Sequence, residues 1–355
     1  METFSLKTKV ISGPGAIEAL GRLGCRRVLL VADPYFQKTD VPDKLVSATG
    51  ADFAFFYEVK PDPTVELAAK GTALVQDFKP DTVVALGGGS AMDCAKAMVY
   101  FSGQTIRFVA IPSTSGSGSE VTDFAILTHD GVKHPLVDEA LTPDVAILDG
   151  NLLNALPKTL IADAGYDIVA HAVESFVATG AGAISRSLAK DAFSCAFTML
   201  PASFAGQTSV RQSVHNAATM AGIAFSQSGL GLCHALSHAL GGQFHVPHGR
   251  LNAILLPAVV EANAAANAQY AELARGAGLG GSVDTLAVRN LRNALLQLRK
   301  ELRLPQTLSQ AGIEPRQVQE KADNIVKAAL EDPCCATNPV RPTAPTVQKI
   351  LRQVM

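Results

Sequence analysis

The sequence predicts an α/β N-terminal dinucleotide-binding domain with an open parallel sheet, followed by an all-α C-terminal domain. Up to about residue 150, short uninterrupted apolar runs alternate with helical patterns. Such runs are typical of strands buried on both faces, as in a parallel sheet. Beyond Pro157, Ala- and Leu-rich helical patterns follow. Because 355 residues exceed what one hydrophobic core usually serves, we expect two domains, residues 1–156 and 157–355.

The strands of the first domain are predicted where β-branched and other apolar residues run together without a polar break. These runs cover residues 27–32, 82–86, 108–111 and 145–148. Helical periodicity lies between them, at residues 64–78 and 91–101. This β-α-β order is typical of a nucleotide-binding sheet. The helices of the second domain are predicted at residues 161–178, 185–200, 210–227 and 252–276.

Composition excludes several classes of protein. Apolar residues make up 48% of the chain and charged residues 17%, which is typical of a folded protein. A net charge of -2 without a run of Lys and Arg argues against nucleic acid and anionic membranes as partners. The chain start lacks the apolar core of a signal peptide, and no stretch is apolar enough to span a membrane. Six cysteines without a CxxC pair favour a reducing, cytoplasmic setting.

A glycine run follows the second predicted strand. Gly87, Gly88 and Gly89 precede Ser90 and a predicted helix. Glycines at such a turn let backbone N–H groups approach a phosphate, and the helix N-terminus adds positive charge. A second loop rich in Gly and Ser, residues 112–120, follows the next strand, where a dinucleotide crossing a sheet would meet it. Tight or flexible turns that bind nothing are the alternative interpretation.

Asp33 ends the first predicted strand. A carboxylate there can accept hydrogen bonds from an adenosine ribose and repel a 2′-phosphate. It can equally start a turn with Pro34. The local sequence leaves both interpretations open.

Four of the eight histidines fall in one short segment of the second domain. His234 and His238 are four residues apart and share a helix face, as do Asp167 and His171, and His248 follows a proline in a predicted turn. Burying such groups unpaired would cost roughly 2–7 kcal/mol each, so they need partners or an ion. A carboxylate with several imidazoles suits Fe(II) or Zn(II) better than Mg(II) or Ca(II). The alternative is a set of satisfied core histidines.

The remaining isolated histidines are expected at the surface or in loops. They are His129, His134 and His215.

Four motifs occur together and in order: GGGSAMDCAK, IPSTSGSGSE, the Asp167–His171 pair and HALSHALGGQFHVPHG. In this combination the chain resembles the iron-containing, metal-dependent alcohol dehydrogenase family from about residue 4 to its end. It is most similar to the short propanol and ethanol dehydrogenases of bacterial microcompartment pathways. The resemblance implies a dehydroquinate synthase-like two-domain architecture. It also implies NAD-dependent interconversion of small aldehydes and primary alcohols.

The resemblance also implies roles for individual residues. Fe(II), with Zn(II) as the alternative, would be held by Asp167, His171, His234 and His248. His238 would lie beside the metal and relay a proton. Phe225 and Cys334 would line the substrate pocket, and Asp33 would bind the ribose and so favour NAD over NADP. The residues expected at the cofactor are Asp33, Gly87, Gly88, Gly89, Ser90, Asp93, Ser113, Thr114 and Lys133.

The reaction implied is hydride transfer between NAD and a carbonyl polarised by the metal. The named pocket residues are apolar or small, which favours a short, neutral substrate. Two alternatives are a metal-dependent lyase of the dehydroquinate synthase type and a non-catalytic microcompartment partner. The first should carry more Lys and Arg near the metal helices, and the second has no need of a complete Asp and His set. We expect a homodimer in the cytoplasm or inside a microcompartment, with an aldehyde dehydrogenase or a shell protein as partner.

Overall fold

The structure is a computed structural model that describes residues 3–130 and 132–355. The chain forms two compact units: the first comprises residues 5–155, and the second comprises residues 156–355 together with residues 3 and 4. The first unit is built on a parallel sheet. Every regular element that the structure describes in the second unit is a helix. The predicted fold class, α/β followed by all-α, is confirmed.

A six-stranded parallel sheet forms the centre of the first unit. Its strands are β1 (Lys9–Ser12), β2 (Arg27–Ala32), β3 (Asp52–Phe56), β4 (Thr82–Gly87), β5 (Arg107–Pro112) and β8 (Val145–Leu148), in the order β1-β8-β5-β4-β2-β3. A separate antiparallel pair consists of β6 (Phe124–His129) and β7 (Val132–Val137). The helices of this unit are α1 (Val41–Thr49), α2 (Val65–Phe78) and α3 (Gly89–Ser102).

The strands predicted from apolar runs are the four inner strands of the sheet. All residues of β4 and β8 are buried, and β2 and β5 are each exposed only at their first residue. The edge strands β1 and β3 escaped prediction. Most residues of both strands are exposed or half-buried. Only two apolar residues, Val10 and Ile11, adjoin in β1, whereas residues 53–56 of β3 are a continuous apolar run that we did not predict as a strand.

The register of β4 and β5 places two loops side by side. Gly87, the last residue of β4, pairs with Pro112, the last residue of β5. The ladder continues one step further, because the backbone N–H of Ser113 donates to the carbonyl oxygen of Gly87 over 2.8 Å. Parallel strands present their carboxyl ends at the same edge of a sheet. The glycine run and the Gly/Ser-rich loop therefore leave the sheet as neighbours.

The second unit consists of helices that share one hydrophobic core, and its first helix is α4 (Lys158–Val177). Nearly every residue of α4 from Ile161 onward is buried, including a polar stripe of Asp163, Asp167, His171 and Glu174 along one helix face. None of the described helices is both long and apolar enough to cross a membrane. The helices are α4 (Lys158–Val177), α5 (Ala183–Ala205), α6 (Arg211–Ser228), α7 (Leu232–Phe244), α8 (His248–Ala262), α9 (Asn267–Gly276), α10 (Asp284–Glu301), α11 (Pro315–Glu320), α12 (Ala322–Glu331) and α13 (Ala344–Val354).

The helical pattern predicted over residues 252–276 is divided in the structure between α8 and α9. Asn263 stands at the break, where its side-chain amide donates to the Tyr270 hydroxyl over 3.1 Å and accepts from the Asn338 amide over 2.9 Å. Asn side chains favour helix ends because they bind polar groups that a continuous helix would not offer. Periodicity alone did not indicate this break.

The isolated histidines divide into two groups. His129 and His134 are exposed, as expected. His215 is 1% exposed and lies on the buried face of α6, so the prediction that it lies at the surface or in a loop is wrong. The helix α6 is buried over much of its length, so the polar character of His215 did not indicate that this residue is exposed.

Candidate metal centre and cofactor loops

Three helices of the second unit bring the predicted metal ligands together. Asp167 and His171 lie on α4, His234 lies on α7, and His248 is the first residue of α8. The Nε2 atom of His234 is 3.9 Å from Asp167 Oδ1, and that of His248 is 3.7 Å away. The His171 ring stacks on the His234 ring with centroids 4.5 Å apart. The four side chains therefore form one cluster.

The start of α8 is held against α4 by close packing and an ion pair. A Cβ atom at Gly249 would lie 1.9 Å from the carbonyl oxygen of Asp163, so only glycine permits this approach. Next to it, Arg250 donates from Nε and Nη2 to the Asp163 carboxylate over 3.0 and 2.8 Å. Paired Arg–carboxylate bonds fix orientation as well as distance. These contacts position His248 so that its Nε2 atom lies 3.7 Å from Asp167 Oδ1.

Glu174 holds His234 from the side opposite the cluster. Its buried carboxylate accepts the backbone N–H groups of Gly231, Cys233 and His234, and lies 2.7 Å from His234 Nδ1. Burial raises the pKa of Glu174 to about 7, and these backbone donors oppose that rise. Because the carboxylate accepts from Nδ1, the lone pair of the ring lies on Nε2, which faces Asp167.

Asn252 links two of the predicted ligands. Its Nδ2 atom donates to Asp167 Oδ1 over 2.7 Å and lies 3.3 Å from His234 Nε2. Its Oδ1 atom accepts from the Ser237 hydroxyl over 2.6 Å, which fixes the direction of the amide. The side chain is fully buried. It therefore sets the orientation of the Asp167 carboxylate within the cluster.

The protonation of the cluster suits a divalent transition metal. Burial lowers the pKa values of His234 and His248 well below their usual range, although the His248 side chain is 34% exposed, and this favours the neutral rings with a free lone pair. Burial alone would raise the pKa of Asp167, but the imidazoles of His171, His248 and His234 and the Asn252 amide keep it below its usual value. One carboxylate with neutral imidazoles is a donor set that fits Fe(II) or Zn(II).

His238 lies at the margin of this cluster. Its ring stacks on that of His248, with centroids 5.0 Å apart and an interplanar angle of 19°. Its Nδ1 atom is 2.8 Å from Asp332 Oδ2. Its side chain is 36% exposed, against 1% for His234, which shares its helix face. The structure therefore gives the two histidines of α7 different surroundings.

The predicted pocket residues adjoin the same histidines. Phe225 is buried in α6, and its ring stacks on the His171 ring with centroids 4.5 Å apart. Cys334 is partly buried, and ligating atoms of Cys334, His238 and Asp332 all lie within 4.8 Å of one another. An aromatic ring and a thiol thus border the cluster.

In the first unit, the glycine run contacts two of the predicted cofactor residues. A Cβ atom at Gly87 would lie 3.7 Å from Asp33 Oδ2, and one at Gly88 would lie 3.1 Å from Thr114 Oγ1. Asp33 also accepts the Tyr35 N–H over 2.8 Å, so it starts the turn and lies beside the glycine run. The two interpretations of Asp33 are therefore compatible.

The other predicted cofactor residues follow the same loops, with two differences. Gly89 and Ser90 lie in the first turn of α3, whose backbone N–H groups have no acceptor within the helix, and Ser113 follows β5. Asp93 instead accepts from the Ser119 hydroxyl over 3.1 Å, and burial raises its pKa to about 6. Lys133 on β7 pairs with Asp62 over 2.6 Å. Both side chains thus have partners within the protein.

The chain matches the models of a known protein family. The family model described as iron-containing alcohol dehydrogenase matches residues 7–150, and the model for the C-terminal part of the Fe-containing alcohol dehydrogenase family matches residues 161–355. The chain belongs to the iron-containing alcohol dehydrogenase family. The predicted family and enzyme class, a metal-dependent alcohol dehydrogenase, are confirmed.

Individual members of the iron-containing alcohol dehydrogenase family match over almost their whole length. The 1-propanol dehydrogenase PduQ of Citrobacter freundii is 38% identical over 100% of both chains. The NADPH-dependent butanol dehydrogenase of Clostridium saccharobutylicum is 34% identical over 100% of this chain and 98% of its own. The solved iron-containing alcohol dehydrogenase from Thermococcus thioreducens superposes with a TM-score of 0.94 at 32% identity, covering 99% of both chains.

Three polar residues of this dehydrogenase escaped the sequence analysis: Glu174, Asn252 and Asp332. Two of them carried a periodic signal. Glu174 follows His171 by three residues, and Asn252 follows His248 by four, so each shares a helix face with a predicted ligand. Asp332 carried no such signal, because it lies far along the chain from His238 and meets it only in the folded protein.

Proposed function

We propose that this dehydrogenase interconverts small aldehydes and primary alcohols of the propanal/propanol or acetaldehyde/ethanol class. NAD is the hydride carrier, and Fe(II), with Zn(II) as the alternative, is held by Asp167, His171, His234 and His248. The observation that carries the proposal is the convergence of these four side chains from α4, α7 and α8 in a member of an alcohol dehydrogenase family.

The chemistry divides between bound groups and the protein. When bound, the metal supplies Lewis acidity at the substrate oxygen, and NAD supplies or accepts the hydride. The protein lowers the pKa values of the His234 and His248 imidazoles, which favours the neutral rings that can bind a cation. His238, which is more exposed than His234, exchanges a proton with the substrate hydroxyl.

The surroundings of the cluster support a short and neutral substrate. Phe225 and Cys334, which border the histidines, offer an aromatic ring and a thiol and no charge. The Arg250 guanidinium, the nearest on α8 to His248, is already bound to Asp163. The names of two relatives, a 1-propanol and a butanol dehydrogenase, agree with this size of substrate.

A direct assay tests the proposed function. The purified chain, loaded with Fe(II) without oxygen or with Zn(II), should oxidise NADH when propanal is added, and the same protein stripped by a chelator should not. A lyase of the dehydroquinate synthase type or a non-catalytic partner would leave the NADH absorbance unchanged. That result with a metal-loaded chain would reject the proposal.

Asp33 is the residue expected to favour NAD over NADP, and replacing its side chain should weaken that preference. Asp33→Gly is expected to raise kcat/KM with NADPH relative to NADH, because the carboxylate would no longer repel a 2′-phosphate. Two unit charges about 4 Å apart near a surface repel by up to roughly 4 kcal/mol before salt screening. The measurement is the ratio of the two kcat/KM values.

Asp33→Asn is the matched variant for this measurement. Its amide oxygen can still accept the Tyr35 N–H, so it removes the charge and keeps the turn. It should change the cofactor ratio in the same direction as Asp33→Gly. A wild-type enzyme that used NADPH as well as NADH would show that Asp33 does not select the cofactor.

The partners and the location are further parts of this proposal. The resemblance to the propanol and ethanol dehydrogenases of bacterial microcompartment pathways, with a 1-propanol dehydrogenase among the relatives, supports an enzyme that works beside an aldehyde dehydrogenase or a shell protein in a microcompartment. Homodimer formation stays a prediction of the sequence analysis.

A further inference from the structure

We propose that Asp332 is a positioning residue for the reaction, which holds the ring of His238 so that Nε2 is the nitrogen presented to the substrate. This inference rests on the proposed function, in which His238 exchanges the proton. It concerns a residue outside the predicted metal ligands, pocket residues and cofactor loops.

The position of the Asp332 carboxylate is set by the backbone around it. Asp332 directly follows α12 and caps a short 3-10 helix, Pro333–Thr337, through a 2.8 Å hydrogen bond from the Cys334 N–H to Oδ1. Its side chain is 14% exposed. With Oδ1 held by the cap, Oδ2 lies 2.8 Å from His238 Nδ1. The acceptor that His238 meets is therefore fixed before any substrate binds.

The ring of His238 depends on this acceptor for its orientation. One face stacks on His248, but stacking alone leaves the two ring nitrogens interchangeable by a ring flip. A carboxylate at Nδ1 removes this ambiguity, because Nδ1 must donate and Nε2 is left with the lone pair. The hydrogen-bond partners of metal-ligating histidines typically change activity by roughly 10–100-fold when removed, and we expect a loss of the same order behind His238.

The same three side chains also resemble a small cation site, since ligating atoms of His238, Asp332 and Cys334 lie within 4.8 Å of one another. The geometry favours the positioning role instead. The 2.8 Å contact is a hydrogen bond, and Oδ1 already accepts from the backbone. Burial also raises the pKa of the Cys334 thiol, which opposes the thiolate that a metal would need.

Asp332→Asn tests the inference in the metal-loaded enzyme with propanal and NADH. Its amide oxygen can still accept the Cys334 N–H, and Asn is a good cap, so the 3-10 helix is retained. We expect kcat to fall roughly 10–100-fold, with KM for propanal, metal content and melting temperature close to those of wild type. A purely structural role would change metal content or melting temperature with kcat.

The decisive comparison is a double-mutant cycle with His238→Ala. If Asp332 acts through His238, adding Asp332→Asn to His238→Ala should cause no further loss of kcat. Asp138→Asn is the matched control, because Asp138 caps another 3-10 helix through the Ala140 N–H over 2.9 Å and should leave kcat unchanged.

A kcat for Asp332→Asn equal to that of wild type, or losses that multiply in the double variant, would overturn the inference. Loss of metal from Asp332→Asn would also overturn it, since the residue would then act on the metal centre. A metal-loaded wild-type enzyme without activity would reject the proposed function itself. This result is distinct from the three results that would overturn the role of Asp332.

Discussion

His248→Ala should lose most of its bound metal and nearly all of its turnover. His248 begins α8, and its Nε2 atom lies 3.7 Å from Asp167 Oδ1, within the cluster formed by the predicted ligands. Removing one of the four proposed donors weakens the binding of the ion, so most of it should be lost during purification. Metal analysis of the purified proteins and NADH oxidation with propanal measure both effects.

A neighbouring histidine provides the control for this experiment. His245 is exposed and adopts a left-handed backbone conformation, with φ of 54°, after the end of α7. His245→Asn should keep metal and turnover, because Asn tolerates that conformation and the side chain lies outside the cluster. Equal metal content in His248→Ala and wild type would remove His248 from the proposed ligands.

His238→Ala should keep its metal and lose turnover by roughly 10²–10⁴-fold, the usual contribution of a positioned proton donor or acceptor. The reason is the difference between the two histidines of α7. His234 is buried beside Asp167, with Nδ1 bound to Glu174, whereas His238 is more exposed and bound to Asp332. His234→Ala should therefore lose both metal and activity.

Metal content and kcat of both variants separate the roles. A metal-free His238→Ala beside a loaded His234→Ala would reverse the assignment. If neither substitution changed metal content or kcat, the whole cluster would be a set of core histidines, and the proposed metal centre would be rejected.

The sequence was most informative where burial is uniform along an element. β4 and β8 are buried at every position and β2 and β5 at every position but the first, so their apolar runs predicted them directly. The edge strand β3 also carries an apolar run, residues 53–56, but Phe56 is its only buried residue, so an apolar run by itself does not distinguish an edge strand from an inner one. Whether a strand lies at the edge or in the middle of a sheet depends on which strands pair with it. That pairing, and the burial that follows from it, is a property of the folded sheet.

The candidate site divides in the same way. A spacing of four residues predicted that Asp167 shares a helix face with His171. The same spacing predicted a shared face for His234 and His238. The family motifs identified these four residues as one group. Spacing did not distinguish His234 from His238, because both side chains project from the same face of one helix.

Their difference is decided by residues from other parts of the fold. Glu174 on α4 binds Nδ1 of His234, and Asp332 after α12 binds Nδ1 of His238. A sequence determines which residues can donate or accept a proton and which helix face they occupy. The ring nitrogen that each histidine leaves open is determined by the hydrogen-bond partner that tertiary packing brings to the other nitrogen, and these partners lie 60 and 94 residues away along the chain.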